Sequence, residues 1–218
     1  MLEMAEKKQL KHGILIAIEG IDGAGKTTQA RILSERLKNS GYSAVLLHEP
    51  THSQWGEKIR YLAKNGRNKT SPELESELFY YDRIEDVKEN INPKLKEKNV
   101  VIMDRYYFSN IAYQGARGLS ADIIEKKNEE IAPKPDLVII LDISPTESSK
   151  RICSTRKDGP NHFENKEYLK EVRRLFLSRF KDRKNVIVLD GDGNHSQSEV
   201  SDSLWSLIEQ IVHEAEET

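Results

Sequence analysis

The fold is decided by the stretch GIDGAGKT, residues 20–27, which directly follows an apolar run at residues 14–18. It matches the pattern G-x-x-x-x-G-K-[ST], in which glycines let backbone N–H groups at a helix start surround phosphate oxygens. In that pattern Lys26 reaches the outer phosphates and the Thr27 hydroxyl can ligate Mg²⁺. The bare pattern also arises by chance, but a strand before it and a helix after it favour a nucleoside triphosphate site. The expected phosphate-binding residues are Gly20, Asp22, Gly23, Ala24, Gly25, Lys26, Thr27 and Thr28.

Apolar runs recur along the chain and alternate with longer amphipathic segments. They lie at residues 14–18, 44–47, 100–103, 137–141 and 186–189. Continuous rather than alternating hydrophobicity indicates strands buried on both faces, which predicts an α/β fold with a five-stranded parallel sheet flanked by helices. Helix starts are expected at residues 70–73, 144–147 and 196–199, where a capping hydroxyl precedes an acid by three residues. In such a three-layer P-loop NTPase fold, ligands bind beyond the carboxyl ends of the strands.

Length, charge and composition narrow the class of protein. The 218 residues suffice for one α/β domain, of which residues 1–12 form a polar N-terminal extension. The net charge of -2 comes from mixed charges without a long block of one sign, which disfavours a nucleic acid polymer as partner. Cys153 is the single cysteine, so no internal disulfide is expected, and no apolar stretch approaches membrane-spanning length. We therefore expect a cytoplasmic protein without a membrane partner.

Asp104 and Arg105 directly follow the third apolar run. An acid at the end of a second strand beside a phosphate loop can hold Mg²⁺, and an adjacent guanidinium can bind a phosphate through two hydrogen bonds. A surface salt bridge at a strand end is the plainer alternative, but the phosphate loop favours the functional interpretation.

Asn110, Tyr113, Gln114 and Arg117 are spaced so that, on a helix, all of them would share one face. Two amides and a ring on one face would suit a heterocycle and its sugar. An ordinary exposed polar face explains the spacing equally well.

Phe79 and Arg83 are one helical turn apart in the segment that follows residues 70–72. On a helix their side chains point the same way, so the ring could stack on a base while the guanidinium binds the phosphate of the same molecule. From the residues alone, a core Phe79 with a solvated Arg83 is the simpler interpretation.

Residues 154–163 combine cations with glycine and proline between two amphipathic segments. Positive charge on a loop able to close over a triphosphate would stabilise the phosphoryl group during transfer, so we interpret this loop as a mobile lid. A surface loop with scattered charges is the alternative.

The chain resembles the thymidylate kinase family, a branch of the nucleoside monophosphate kinases, from residue 14 to about residue 190. The matching blocks are residues 19–29, 49–50, 78–79 with Arg83, 104–109, 112–115 and 135–136. The block DRYYFS, followed by AYQG, is the most specific of them.

This resemblance implies transfer of the γ-phosphoryl group of ATP to dTMP, with Mg²⁺ as cofactor, by a homodimer that forms dTDP and ADP. Lys26 and the loop amides resemble the family's ATP phosphate ligands, and Phe79 resembles its thymine-stacking ring. Arg83 and Arg105 resemble the pair that binds the dTMP phosphate. Asp22 matches the acid near the sugar 3′-hydroxyl and the phosphoryl acceptor.

The remaining site residues are also implied by the resemblance. Asn110 and Gln114 fall where the family reads the pyrimidine edge, and Tyr113 falls where a ring favours deoxyribose. Glu49 belongs to a matching block, so we include it among the residues that bind the substrate.

The resemblance also indicates a subtype and one departure from it. Position 23 is glycine rather than arginine, as in the subtype whose catalytic cation comes from the lid, which implicates Arg156, with Arg151 and Lys157 as alternatives. His48 stands where the family often has arginine before Glu-Pro, which puts the contacts of that arginine in question here.

Other functions compete with a dTMP kinase. The nearest alternative is a kinase of another nucleoside monophosphate or of a deoxynucleoside, and another is a nucleotide-binding switch. Arg83 together with Arg105 disfavours the switch, which has no monophosphate to hold. Balanced charge and small size disfavour a motor or a nucleic-acid ATPase.

Overall fold

The computed structural model describes residues 6–65, 70–155, 166–192 and 195–216. A single sheet of five parallel strands, in the order β2-β3-β1-β4-β5, runs through the described chain. The strands are β1 (Ile14–Glu19), β2 (Ala44–His48), β3 (Val100–Asp104), β4 (Leu137–Asp142) and β5 (Val186–Asp190). Each contains one of the predicted apolar runs, so the predicted five-stranded parallel sheet is confirmed.

Helices flank this sheet. They are α1 (Lys26–Asn39), α2 (Gln54–Asn65), α3 (Pro72–Asp86), α4 (Asn92–Lys96), α5 (Tyr107–Gly115), α6 (Ala121–Glu129), α7 (Pro145–Thr155), α8 (Lys166–Phe180) and α9 (Gln197–Glu214). A π-helical turn, Val87–Ile91, joins α3 to α4. All six residues of β1 are buried, and successive strand residues point to opposite faces, so both faces of the central strand are covered. None of the described helices is long and apolar enough to span a membrane.

Side-chain caps fix several helix starts. Ser144 and Ser196 each accept a hydrogen bond at 3.2 Å from the backbone N–H three residues further on, as the sequence predicts. At the start of α3 the predicted cap, Thr70, is wrong by one residue. Ser71 is the cap, because Pro72 occupies the first helical position, where its missing N–H is tolerated.

The described part of the N-terminal extension packs against the opposite end of the chain. Leu10 is buried and forms a β-bridge with Glu216, and Lys8 makes a 3.0 Å ion pair with the same glutamate. These contacts tie the chain before β1 to the residues that follow α9.

Candidate active site

The phosphate loop uses backbone conformations that glycine adopts most easily. The φ angles of Gly20, Gly23 and Gly25 are +136°, +76° and +91°. A Cβ atom at Gly20 would lie 2.4 Å from the carbonyl oxygen of Leu141 in β4, so close packing on the sheet also requires glycine there. Gly25 is the N-cap of α1 and has no side chain that could bond to the first N–H groups. The helix start is thus available to an anion.

Lys26 is buried inside this loop. Its Nζ donates a hydrogen bond to the Ile21 carbonyl oxygen at 2.7 Å. Burial and, next, the positive charge of Arg105 lower the pKa of Lys26 to about 7. Phosphate oxygens beside it would raise that pKa and favour the ammonium form.

Thr27 and Asp104 connect the phosphate loop to β3. The carboxyl ends of β1 and β3 are adjacent, with Ile18 opposite Asp104. The Thr27 hydroxyl donates to Asp104 Oδ2 at 2.5 Å. Asp104 Oδ1 is buried and finds no hydrogen-bond partner within the described chain. A hydroxyl beside a carboxylate with an unused oxygen fits Mg²⁺, which takes few protein ligands where it also binds phosphates.

Arg105 and Asp22 form an ion pair beside the phosphate loop. The φ angle of Arg105 is +69°, a left-handed conformation that is uncommon outside glycine and often found at functional sites. Its Nη1 donates to Ser109 Oγ at 3.0 Å, and its guanidinium carbon lies 5.3 Å from the centre of the Tyr113 ring. The guanidinium is thereby fixed at the carboxyl end of β3.

Glu19 holds the turn that carries Arg105, although the sequence analysis did not single it out as a site residue. The buried carboxylate accepts hydrogen bonds from the backbone N–H groups of Tyr106 and Ser109, at 2.7 and 3.2 Å, and from the Ser109 hydroxyl at 2.5 Å. Burial raises the pKa of Glu19 to about 6, and these hydrogen bonds oppose the shift. The sequence contained one signal for this role of Glu19, namely its position at the end of the first predicted strand. That end of the strand faces the site.

Two cavities adjoin at this edge of the sheet. The larger, about 620 Å³, opens on the phosphate loop and is here called the triphosphate cavity. Besides loop residues it is lined by Arg105, Arg151, Ile152, Ser154, Gly191, His195, Gln197 and Val200. The smaller, about 250 Å³, is here called the acceptor cavity. Its lining includes Glu49, Pro50, Ile59, Arg60, Phe79, Arg83, Tyr106, Asn110 and Tyr113. Asp22 and Arg105 line both cavities.

Gln29 joins two walls of the triphosphate cavity. Its Nε2 donates to the Gln197 carbonyl oxygen at 3.0 Å, and its Oε1 accepts from Ser201 Oγ at 2.6 Å. The start of α9 is therefore fixed to the second turn of the phosphate-loop helix.

Arg83 is a buried part of the acceptor cavity. It is 0% exposed, so the solvated Arg83 that the residues alone favoured is wrong. Its Nε donates to Glu49 Oε1 at 3.0 Å, its Nη2 donates to Glu49 Oε2, and its Nη1 donates to Asn128 Oδ1. Burial raises the pKa of Glu49 to about 8, while the positive charge and hydrogen bonds of Arg83 act in the opposite direction. Phe79, one turn away, is partly buried and lines the same cavity.

The polar side chains of α5 are buried, and the exposed polar face considered as an alternative is wrong. Asn110 and Gln114 are 3% and 0% exposed, and the amide nitrogen of each finds no hydrogen-bond partner among the described residues. Asn110 lines the acceptor cavity with Tyr113, whereas Gln114 is not among the described lining residues. The helix ends at Gly115, so Arg117 lies beyond it and does not continue the predicted face.

The lid is only partly within the described chain. Arg156 lies outside the described residues, and so does the rest of the predicted lid from that point on. Arg151 lines the triphosphate cavity and donates to the Gly191 carbonyl oxygen at 2.7 Å. His48, at the end of β2, is exposed, with its Nδ1 3.0 Å from the carbonyl oxygen of Pro50.

Comparison with known proteins agrees with this geometry. The family model described as thymidylate kinase matches residues 18–203. A probable thymidylate kinase of Archaeoglobus fulgidus is 46% identical over 200 residues, which cover 92% of this chain and 97% of that protein. Thymidylate kinases of Xanthomonas euvesicatoria and Xanthomonas campestris are each 44% identical over 182 residues, covering 84% of this chain and 79% and 78% of theirs. The chain therefore belongs to the thymidylate kinase family.

Proposed function

We propose that this protein transfers the γ-phosphoryl group of ATP to dTMP, forming dTDP and ADP. The observation that carries this proposal is the junction of two cavities at Asp22 and Arg105, one beside a phosphate loop and the other beside a ring and a buried arginine. A protein that only bound or hydrolysed a nucleotide would have no use for the second cavity. Membership of the family and the names of its relatives support the same reaction.

The triphosphate cavity would bind ATP, the phosphoryl donor. The N–H groups at the start of α1 and the Lys26 ammonium would hold the β- and γ-phosphates. Thr27 and Asp104 would hold Mg²⁺ against those phosphates, because one carboxylate oxygen of Asp104 is buried without a partner in the described chain. When bound, Mg²⁺ neutralises charge that develops on the phosphate oxygens.

The acceptor cavity would bind dTMP. The Phe79 ring would offer a surface on which the pyrimidine can stack. Asn110 and Tyr113 line the same cavity and would lie at the pyrimidine edge and near the sugar. Arg83 and Arg105 are the cations that would bind the phosphate. Five N–H groups belong to each guanidinium, so Arg83 retains donors beyond the three that it uses on Glu49 and Asn128.

The chemistry required of these residues is chiefly positioning and charge stabilisation. The dTMP phosphate is already ionised at neutral pH, so no strong general base is needed. Arg105, at the junction of the cavities, would stabilise charge on the transferring group, with Asp22 beside the acceptor. We place the lid cation at Arg156, by resemblance to the subtype with glycine at position 23. Lid closure would exclude water, whose attack would hydrolyse ATP without transfer.

Initial rates of ADP formation test this reaction. With ATP and Mg²⁺, we expect ADP formation to depend on dTMP and to be slower with dUMP, dCMP, UMP or thymidine. Formation of ADP at the same rate with and without dTMP would indicate a nucleotide switch or a hydrolase. A faster reaction with another acceptor would identify a different kinase.

We also propose that the protein is a homodimer that associates through α2 and α3. Of the five exposed large hydrophobic side chains among the described residues, four lie on these two helices: Tyr61, Leu74, Tyr81 and Ile84. The two helices are in contact, and large apolar side chains exposed on neighbouring helices often mark an interface. The mass in solution, measured by light scattering, should be that of a dimer. A Tyr61→Glu variant should dissociate, whereas Ile123→Glu, an equally exposed position on α6, should not.

A further inference from the structure

Asp82 is a buried carboxylate on α3 that holds the loop between β2 and α2. It is 1% exposed and is not among the described residues that line the acceptor cavity. Its Oδ2 accepts a hydrogen bond from the Thr51 N–H at 2.8 Å, and its Oδ1 accepts from Thr51 Oγ1 and Ser53 Oγ, both at 2.6 Å. Three hydrogen bonds thus attach residues 51–53 to α3.

Both elements that Asp82 connects line the acceptor cavity. Glu49 and Pro50, the two residues before the attached segment, form one wall. Phe79 and Arg83, on the same helix as Asp82, form another. The carboxylate therefore sets the position of one wall relative to the other from outside the described lining of the cavity.

The loop also leads into α2, which lines the cavity through Ile59. Ser53 Oγ accepts hydrogen bonds from the N–H groups of Trp55 and Gly56, at 3.1 and 3.2 Å. A Cβ atom at Gly56 would lie 1.9 Å from the Thr51 carbonyl oxygen, so the first turn of α2 packs directly against the loop. A displacement of the loop would therefore also displace α2.

These contacts require a carboxylate rather than an amide at position 82. A hydroxyl oxygen has two lone pairs and one proton, and Ser53 Oγ uses both lone pairs on N–H groups, so its proton must be donated. The Thr51 N–H can also only donate. The two donors face different carboxylate oxygens, Oδ1 and Oδ2. An asparagine would present its own N–H to one of them in either orientation, and a donor facing a donor is costly.

We propose that Asp82 is a positioning residue for dTMP binding, which holds the wall formed by Glu49 and Pro50 at the distance from α3 at which dTMP contacts both. The inference rests on the proposed function, because dTMP is the acceptor of that reaction. Asp82 would act through the loop and touch neither nucleotide. Residues that touch a ligand bind it well only when the surrounding side chains fix their positions.

The substitution Asp82→Asn tests this role with almost no change of shape. Because one donor is left facing another, the loop should move relative to α3, and the KM for dTMP should rise by about tenfold or more. Residues 49–53 are not among the described residues that line the triphosphate cavity, so the KM for ATP should stay within about twofold of the parent value. Steady-state kinetics give both values, and calorimetric titration gives the two dissociation constants. An equal rise in both KM values would indicate a general loss of structure and would overturn the proposal.

Tyr42→Phe is the control for stability alone. Tyr42 is 4% exposed, and its hydroxyl donates to Glu216. It precedes β2 and so lies at the opposite edge of the sheet from the site. This variant should lower the melting temperature and leave both KM values within about twofold of the parent.

Thr51→Val tests the same contact from the loop, and it carries the test if Asp82→Asn does not fold. Valine keeps the shape of the side chain but cannot donate to Asp82. The KM for dTMP should rise by about threefold or more, less than in Asp82→Asn, because the other two donors still bond to the carboxylate. A KM for dTMP within about twofold of the parent in every folded variant of these two would overturn the proposal. Failure of the parent protein to phosphorylate dTMP would instead overturn the proposed function.

Discussion

The triphosphate cavity and the acceptor cavity share two residues but are built in different ways. The first depends on a continuous stretch, residues 20–27, most of which lines the cavity. The second collects side chains from the ends of β2 and β3 and from α2, α3 and α5, and a buried asparagine on α6 supports it. A backbone site is specified by glycine positions along the chain, whereas a side-chain site is specified by contacts that exist only after folding.

The largest expected effect belongs to Arg105, which both cavities share. Replacement by alanine removes the cation at the point of transfer, and kcat should fall by about 10²- to 10³-fold, as for loss of one electrostatic contact to a transition state. Steady-state kinetics with saturating ATP and dTMP measure this. Arg174→Ala serves as the control, because it removes an exposed arginine whose ion pair among the described residues is with the nearby Glu171. Turnover of Arg105→Ala within a few-fold of the parent would contradict the assigned role.

Phe79→Ala should affect the acceptor cavity alone. Loss of a stacking surface costs about 1–3 kcal/mol in nucleotide complexes, so dTMP affinity should weaken by that amount while ATP affinity is retained. Calorimetric titration with each nucleotide measures both affinities. Phe79→Leu retains apolar contact without a flat ring, and it should fall between the parent and the alanine variant. An unchanged dTMP titration would exclude stacking at this position.

Alkaline pH should weaken ATP binding in the triphosphate cavity, because Lys26 loses its proton. Its pKa is about 7 in the nucleotide-free protein, and bound phosphates raise it, so ATP binding takes up a proton at pH values between the two pKa values. ATP affinity is therefore greatest below pH 7 and falls as pH rises through that value, toward a limiting slope of about tenfold per pH unit for one proton. Lys26→Arg remains charged and should lose this dependence. Equal pH profiles for the two proteins would contradict the assignment.

Gln29→Leu should loosen one wall of the triphosphate cavity. Its two hydrogen bonds hold α9 to α1, and loss of about 1 kcal/mol would raise the KM for ATP about fivefold and leave the KM for dTMP unchanged. Ser203→Ala, an exposed serine on α9, is the matched control. An equal rise in both KM values would indicate a general loss of structure instead.

His48→Arg should have the smallest effect, although it restores the residue common in the family. His48 is exposed and is not among the described residues that line either cavity, so kcat and both KM values should stay within about twofold. A drop in the KM for dTMP of fivefold or more would instead indicate that an arginine at this position reaches the substrate.

The two kinds of site also explain what the sequence could predict. The strands and the phosphate loop follow from apolar runs and glycine spacing, which are local signals. The cap predicted at Thr70 was wrong by a single residue. The burial of Arg83 could not be predicted, because its partners Glu49 and Asn128 are 34 and 45 residues away in sequence. Asn128 carries no local signal at all. Its hydrogen bond with Arg83 forms only when the chain has folded.

The ion pair between Asp22 and Arg105 links the binding of the two nucleotides, because both residues line both cavities. A phosphate that draws Arg105 away from Asp22 alters the charge presented to the neighbouring nucleotide. Whatever factor ATP imposes on the dissociation constant of dTMP, dTMP must impose on that of ATP. The order in which the two substrates arrive can change the rates of their binding, but it leaves the stability of the ternary complex unchanged.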